Sequence, residues 1–468
     1  MTFRQQVAER FGLSRFREAV LRRRVPETPW YLGDGAALAT LLAVQIVTGA
    51  TLMLYYSSAA DHAFASVQNL TQQVPLGRLV RALHYWTAGL MMVVLAVHVF
   101  RHLILGGYKA PREGTWIVGV FLFVLVTTMS FTGYVLRWDE RSVYALRVAL
   151  NMFHKVPLIG EELVLLIQGA PQIGALTLVR IFAVHIWIVP LLLVGLTVWH
   201  LYLIVLHGVS FRGEQKQPVE TAEEQKEVYE EAAESEERGE WFHPETVHLT
   251  GRIAFAVLVV AFALAVVVGP AELYPEANLI EPSRPLSEWW FWWYSALIAL
   301  LPPAAAPIFL VGFPLVLVAG MLVLPLVDRG PDRGLRKRPL WAVFVVVATI
   351  AIVWLSDLRQ REPWLGRPDP EPPPVPAGVV LDDQARTGRQ LFAVYGCNSC
   401  HAVSGRGGSV GPDLARIERR YSPTELEGYI LEPPQDVAMP SYRGRMAPGD
   451  LERVVAFVLA AQTFPRRQ

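Results

Sequence analysis

Seven stretches of this chain stay predominantly apolar for 17 residues or more: 33–56, 79–105, 115–136, 178–206, 250–270, 290–326 and 340–356. No other feature constrains the fold as strongly. A helix needs about 20 residues to cross the hydrocarbon of a bilayer, and in lipid every backbone N–H and C=O must be bonded within the segment or a closed sheet. The expectation is an all-α, polytopic membrane bundle of about seven helices. Hydrophobic residues make up 53% of the chain and charged residues only 18%, as such a bundle requires. The formal net charge is zero, which leaves no electrostatic footprint for a nucleic-acid partner. The sixth stretch contains Pro302, Pro303, Pro307 and Pro314, so a kink or an interfacial beginning is expected there.

Polar breaks organise these spans. Residues 1–210 hold four of them. The hydrophilic segment 211–247, with the run EEQKEVYEEAAESEERGE, reads as a solvated helix or a flexible linker. Residues 248–356 hold the other three spans. A proline-rich spacer follows at 357–378, and 379–468 reads as a small soluble helical domain. The first 29 residues are arginine-rich and lack an apolar signal core, so the first span is expected to direct insertion. Arginines and lysines concentrate in the N-terminal segment, in the second-to-third connection and in the sixth-to-seventh connection. These fall on one face of a seven-span bundle, which the positive-inside rule makes cytoplasmic. The C-terminal domain then lies on the outer side. The 137–177 loop also carries arginines outside, in partial conflict.

Four histidines lie inside the spans. His84 and His98 are 14 residues apart on the second, and His185 and His200 are 15 apart on the fourth. Fourteen residues are close to four helical turns, so each pair shares roughly one face, with its two levels about 21 Å apart along the axis. A lone buried histidine is ordinarily a hydrogen-bonded core residue. Four at matched depth on two helices point instead to two bis-histidine metal sites, one per leaflet, because ionisable residues are costly in a bilayer. His102 has no matched partner and reads as structural or interfacial. Gly35 and Gly49 are 14 apart on the first span, and Gly119 and Gly133 are 14 apart on the third. Alone they would suggest close helix packing. Repeating the histidine interval, they also suit the edge of a flat macrocycle that needs room against backbone.

Cys397-Asn398-Ser399-Cys400-His401 is a C-x-x-C-H sequence and holds both cysteines of the chain. It reads as a covalent attachment site for a c-type haem, with His401 as the proximal iron ligand. A redox disulfide or half of a zinc site are the alternatives, and a zinc site needs further ligands. The apolar stretch GRQLFAVYG precedes the motif, and GPDL (411–414) and Met439-Pro440-Ser441-Tyr442 follow it. Met439, in its Met-Pro context, is preferred over Met446 as the sixth ligand, a sulfur that raises the haem potential. This order resembles a class I cytochrome c domain, in which Pro412 orients His401.

The membrane part, about residues 25–356, resembles the cytochrome b of quinol:cytochrome c (or plastocyanin) oxidoreductases, the bc and bf complexes. The histidine and glycine pairs carry the resemblance, together with DHAFASVQ (61–68), TGYVLRWDE (132–140), VPLIGEELV (156–164) and TLVRIFAVH (177–185). The 14/15 spacing and seven-helix total favour the chloroplast-type branch, in which the four-helix and three-helix parts are separate chains. Here they are joined, with a cytochrome c added.

The resemblance implies two non-covalent b haems. His84 and His185 would hold the low-potential one near the outer face, and His98 and His200 the high-potential one near the inner face. Arg81 and Arg180 would pair with haem propionates or packed carbonyls. Where the family carries Pro-Glu-Trp-Tyr at its outer quinol site, this chain has Ser287-Glu288-Trp289-Trp290, leaving Glu288 as the proton-accepting carboxylate. No cysteine lies in the bundle, so the extra covalent haem of the chloroplast-type branch is expected to be absent. Val205 and Leu206 stand where a basic residue follows the last ligand. The implied activity is bifurcated quinol oxidation coupled to proton translocation. Its implied partners are a Rieske iron–sulfur protein, further cytochrome c and small subunits, a mobile carrier or terminal oxidase, quinone, and a second copy in a homodimer. The implied location is a bacterial inner membrane. The alternative is a non-bifurcating electron-transfer subunit that links a partner redox enzyme to the quinone pool.

Overall fold

The computed structural model describes residues 3, 10, 22–27, 33–154, 156, 158–211, 221–235, 239–277, 288–301, 305–330, 332–361, 372–408, 411–417, 421–434, 439, 441–443 and 446–464. Among these, seven helices are long and apolar enough to cross a membrane. In chain order the helices are α1 (Asp34–Met53), α2 (Ala63–Gln72), α3 (Gly77–Leu105), α4 (Glu113–Val135), α5 (Glu140–His154), α6 (Gly160–Gln168), α7 (Ala175–His207), α8 (Ala222–Glu234), α9 (Val247–Val267), α10 (Trp292–Ala299), α11 (Ala306–Val327), α12 (Pro339–Arg361), α13 (Asp383–Val394), α14 (Pro423–Leu431) and α15 (Pro448–Ala461). The membrane-length helices are α1, α3, α4, α7, α9, α11 and α12, in agreement with the seven-span reading.

The chain divides into two compact units. The first comprises residues 1–136, 177–273 and 313–349. Within it α1 packs on α3, α7 on α4, and α9 on both α1 and α3. Leu41, Met91, Leu95, Val126 and Leu193 meet in its centre, drawn from α1, α3, α4 and α7, and Val257 of α9 packs against them. The outward faces are apolar too: Leu191, Val198, Phe255 and Val267 are exposed. Such faces fit a solvent of lipid, which removes the penalty that water imposes. The 211–247 segment forms helix α8, whose Thr221 and Glu224 make a reciprocal capping box. It then forms a short strand β2 (Gly239–Trp241) that pairs antiparallel with β1 (Arg24–Pro26).

The span of α7 contains a π-helical turn at Val184–Ile188, where the N–H of Val189 bonds the carbonyl of Val184. Pro190 follows at once and lacks the N–H that a regular α turn needs. One π turn takes up one extra residue. The 15-residue interval from His185 to His200 is thereby brought into phase with the 14-residue interval on α3.

The second unit comprises residues 137–176, 274–312 and 350–468. The apolar stretch 290–326 is not one continuous helix. It is divided into α10 and α11, with residues 302–304 outside the described set. Consecutive prolines at 302 and 303 remove two backbone donors and so favour a break, whereas Pro314 lies inside α11. The C-terminal part is a separate small helical core. Asp382 caps α13 through the Ala385 N–H at 2.7 Å. Helix α13 crosses α15, with Gly388 against the Arg453 carbonyl where a side chain could not fit. Phe392 and Phe457 meet edge to face, their ring centres 5.4 Å apart.

Candidate cofactor-binding sites

His84 on α3 and His185 on α7 face each other. Their ring centres are 6.5 Å apart and their planes are inclined at 78°. A transition metal held by two imidazole nitrogens at about 2 Å each sets the ring centres about 6 Å apart, so the pair has the separation of a bis-imidazole metal site. The tautomer is settled by neighbouring threonines. Thr48 donates its hydroxyl proton to Val44 O at 2.6 Å, and its oxygen lies 2.9 Å from His84 Nδ1. Thr132 donates to Thr128 O at 2.8 Å and lies 3.0 Å from His185 Nδ1. A hydroxyl has one proton, so each threonine accepts from Nδ1–H, which leaves Nε2 with the lone pair that binds metal. Gln45 Nε2 ties α1 to α3 at this level, donating to His84 O and Thr87 Oγ1, each at 2.7 Å.

The four glycines each face one of the four histidines. A Cβ on Gly49 would stand 3.2 Å from His84 Cε1, one on Gly133 2.8 Å from His185 Cε1, one on Gly119 3.4 Å from His200 Cε1, and one on Gly35 3.8 Å from His98 Cε1. The glycines leave each imidazole room beside backbone, and these four histidines would hold haem if it is bound here. The residues present fit the group.

His98, one helical interval along α3 from His84, has a charged neighbour. Asp34 Oδ1 lies 3.1 Å from His98 Nδ1. Arg101 grips the same carboxylate in a fork, Nε to Oδ2 at 2.7 Å and Nη2 to Oδ1 at 2.8 Å. Arg101 Nη2 also reaches His102 Nε2 at 3.1 Å, and the His102 ring packs 4.7 Å from that of His98. His102, set aside as structural or interfacial, is thus part of this cluster. The sequence reads Arg101 only as a cation of the second-to-third connection and does not mark Asp34. An acidic residue at the start of an otherwise apolar span was the available signal, because such a charge needs a partner. Arg81 is buried and donates to Ala271 O at 2.6 Å and to Thr71 Oγ1 at 3.2 Å, the packed-carbonyl alternative. Arg180 is exposed on α7.

In the second unit Glu288 forms an ion pair with Arg137, Oε1 to Nη1 at 2.7 Å, with both side chains about nine-tenths buried. Arg137 Nη2 lies 3.3 Å from Asp139 Oδ2, and Asp139 is fully buried. Asp139 accepts from the Ser142 N–H at 2.9 Å. Ser287 lies outside the described residues. Arg137 and Asp139 stand in the TGYVLRWDE stretch, but nothing in the linear sequence joins them to a residue some 150 positions later.

In the C-terminal core His401 Nδ1 lies 3.0 Å from Pro412 O. A carbonyl only accepts, so Nδ1 carries the proton and Nε2 the lone pair, the orientation expected of Pro412. A Cβ on Gly411 would stand 2.5 Å from His401 Cε1. Burial lowers the His401 pKa, favouring the neutral ring that ligates. The Cys397 carbonyl accepts the N–H groups of Cys400 and His401 at 3.2 and 2.9 Å, so one turn gathers the three residues. Burial pushes Cys397 up to about 12 and raises Cys400 as well. Among the described residues no group of three His, Cys, Asp or Glu side chains converges as a zinc site would need. Met446 is buried in the core, and Met439 packs half-buried against it.

Comparison with known proteins decides the family. The family model described as Cytochrome b/b6/petB matches residues 25–208. Over 168 residues the chain is 40% identical to the menaquinol:cytochrome c reductase cytochrome b subunit of Geobacillus thermodenitrificans, covering 36% of this chain and 75% of that protein. This chain belongs to the cytochrome b/b6 family. Cytochrome b6 of Synechocystis sp. is 36% identical over 176 residues, 38% of this chain and 79% of the relative. As a cytochrome b with seven membrane-length helices among the described residues, the chain is a membrane protein that binds haem b. Its C-terminal residues 383–458 match the family model for cytochrome c oxidase, cbb3-type, subunit III, which implies haem c. A solved structure titled hyperthermophilic respiratory Complex III matches with a TM-score of 0.66 and 25% identity, covering 77% of this chain and 91% of that one. That breadth extends the likeness beyond the four-helix part.

Proposed function

We propose that this chain is the fused cytochrome b/c subunit of a quinol:cytochrome c oxidoreductase. The observation that carries the reading is the facing pair His84 and His185, with both Nδ1 protons held by threonines and both rings backed by glycines. The same glycine–histidine pattern recurs at the level of His98 and His200. In this reading the two pairs ligate two b haems, and Cys397, Cys400, His401 and Met439 hold one c haem. When bound, these haems supply one-electron transfer across the membrane and out to a soluble acceptor. The assignment rests on the family match and on one relative's printed description as a menaquinol:cytochrome c reductase subunit.

The chain's residues then have these tasks. Glu288 receives a proton from a quinol hydroxyl on the outer side and passes it to water. Each quinol oxidised to quinone yields two protons outside and two electrons. One electron goes to a Rieske iron–sulfur protein, a separate subunit, and the other crosses the bundle, so that two quinol oxidations reduce one inner quinone to quinol with two protons taken up inside. The Pro-rich tether keeps the c domain at high effective concentration near the Rieske donor, from which it serves a mobile carrier or terminal oxidase. The complex is a homodimer in a bacterial inner membrane, as the resemblance implies, and the Lys/Arg distribution supports a cytoplasmic N-terminus and an outer c domain.

One observation favours the second reading, a non-bifurcating electron-transfer subunit: Glu288 is held by Arg137. The deciding experiment is quinol:cytochrome c reductase activity of the purified complex, wild type against Glu288→Gln, with haem spectra of both. Two b haems per c haem and slow turnover in the variant support bifurcated quinol oxidation. Intact haems without quinol-driven reduction of haem c, even with a Rieske protein present, support the second reading.

A further inference from the structure

We propose that Asp34 lowers the redox potential of the inner b haem by accepting the Nδ1 proton of His98 with a buried carboxylate. The inference rests on the reading of His98 and His200 as ligands of that haem. Proton counting makes the bond directional. Arg101 Nη2 has two protons, and it has two acceptors, Asp34 Oδ1 at 2.8 Å and His102 Nε2 at 3.1 Å. His98 Nδ1 lies 3.3 Å from that nitrogen and 3.1 Å from Asp34 Oδ1. An ionised carboxylate has no proton to give, so His98 Nδ1–H donates to Asp34, and its Nε2 keeps the lone pair for iron.

The partner chemistry differs between the two levels. At the outer level both imidazoles donate to neutral threonine hydroxyls, Thr48 and Thr132. At the inner level His98 donates to an anion. The side chains of Asp34, Arg101 and His98 are 9%, 13% and 19% exposed, so water screens the bond little. A carboxylate partner draws the Nδ1 proton toward itself, raises the basicity of the ligand and favours the more positive iron state. The oxidised form gains, and the potential falls. Arg101 opposes this by neutralising part of the charge, so the two residues set the potential between them. Since the resemblance implies that the inner haem is the higher of the two, Asp34 acts to narrow the drop in potential across the bundle.

The test is redox potentiometry of the purified complex, following the b-haem absorption, for wild type, Asp34→Asn and Arg101→Gln. Asp34→Asn keeps an oxygen acceptor and removes the charge. It should raise the midpoint of one b haem and leave the other b haem and haem c unmoved. Arg101→Gln, which leaves the carboxylate without its cation, should lower the same midpoint. Opposite shifts separate an electrostatic role from a structural one, since a merely loosened pocket moves both variants the same way. Two b haems with unchanged midpoints in Asp34→Asn, or shifts of one sign in both variants, overturn the proposal and leave the ligand assignment standing. A His98→Leu variant that retains both b haems with unaltered low-spin spectra removes the assignment itself.

Discussion

Arg137 Nη1 lies 2.7 Å from Glu288 Oε1, so the carboxylate proposed to receive the quinol proton is already paired. Breaking a buried pair by removing one partner typically costs about 3–5 kcal/mol. Arg137→Gln should therefore loosen the 137–176 segment, read as faster proteolysis or hydrogen exchange there. Glu288→Gln should slow quinol oxidation about 100-fold, the usual worth of a positioned proton acceptor. Restored protection in the Arg137→Gln, Glu288→Gln double variant, with activity still low, would separate the two roles. Equal activity of wild type and Glu288→Gln would remove Glu288 from the chemistry.

The glycine–histidine distances rank four substitutions. Alanine at Gly133 places a Cβ 2.8 Å from the His185 ring, closer than real Cβ contacts, whereas at Gly35 the 3.8 Å approach to His98 is ordinary contact. Haem b content per haem c should fall most for Gly133→Ala, less for Gly49→Ala and Gly119→Ala, and least for Gly35→Ala. Pyridine haemochrome analysis gives the ratio directly. A larger loss at Gly35 than at Gly133 would contradict the assignment of cradle to ring.

Asp328 meets Lys109 Nζ at 2.7 Å and Arg338 Nη2 at 2.5 Å. Burial pushes its carboxyl up, but the bonds from Lys109 and Tyr108 and the charges of Arg338 and Lys109 outweigh it and hold the pKa below the ordinary value. A carboxyl depressed in the folded state contributes stability above its unfolded pKa of about 3.9 and loses it as pH falls through the folded value. Exchange protection of the 328–338 loop should thus decline in acid below about pH 4. Asp328→Asn should show that lower protection already at neutral pH and flatten the dependence.

In the C-terminal core the two methionines should part company. Met439→Ala should lower the potential of haem c, because loss of a thioether ligand favours the oxidised state. Met446, buried in the core, should cost about 2–5 kcal/mol of domain stability as alanine and leave the potential nearly unchanged. The reverse pattern would make Met446 the sixth ligand.

Much of this protein was legible in its residues alone. Seven spans follow from apolar runs, because lipid permits few backbone solutions. The histidine and glycine intervals follow from the helical repeat, and C-x-x-C-H is local chemistry. Other features were settled only by tertiary structure. The interval from His185 to His200 comes into phase through a π turn before Pro190, a backbone choice that residue counting misses. The sixth apolar stretch divides, because apolar runs report burial rather than continuity of hydrogen bonding. Asp34 and Arg101 are 67 positions apart, and Arg137 and Glu288 are 151 apart. Charge pairing at such separation depends on which helix and loop ends the fold brings together. The sequence determined which groups would have to be bound in this membrane; the tertiary structure decided which charges stand beside them, since electrostatic partners are chosen by distance in space and not by order along the chain.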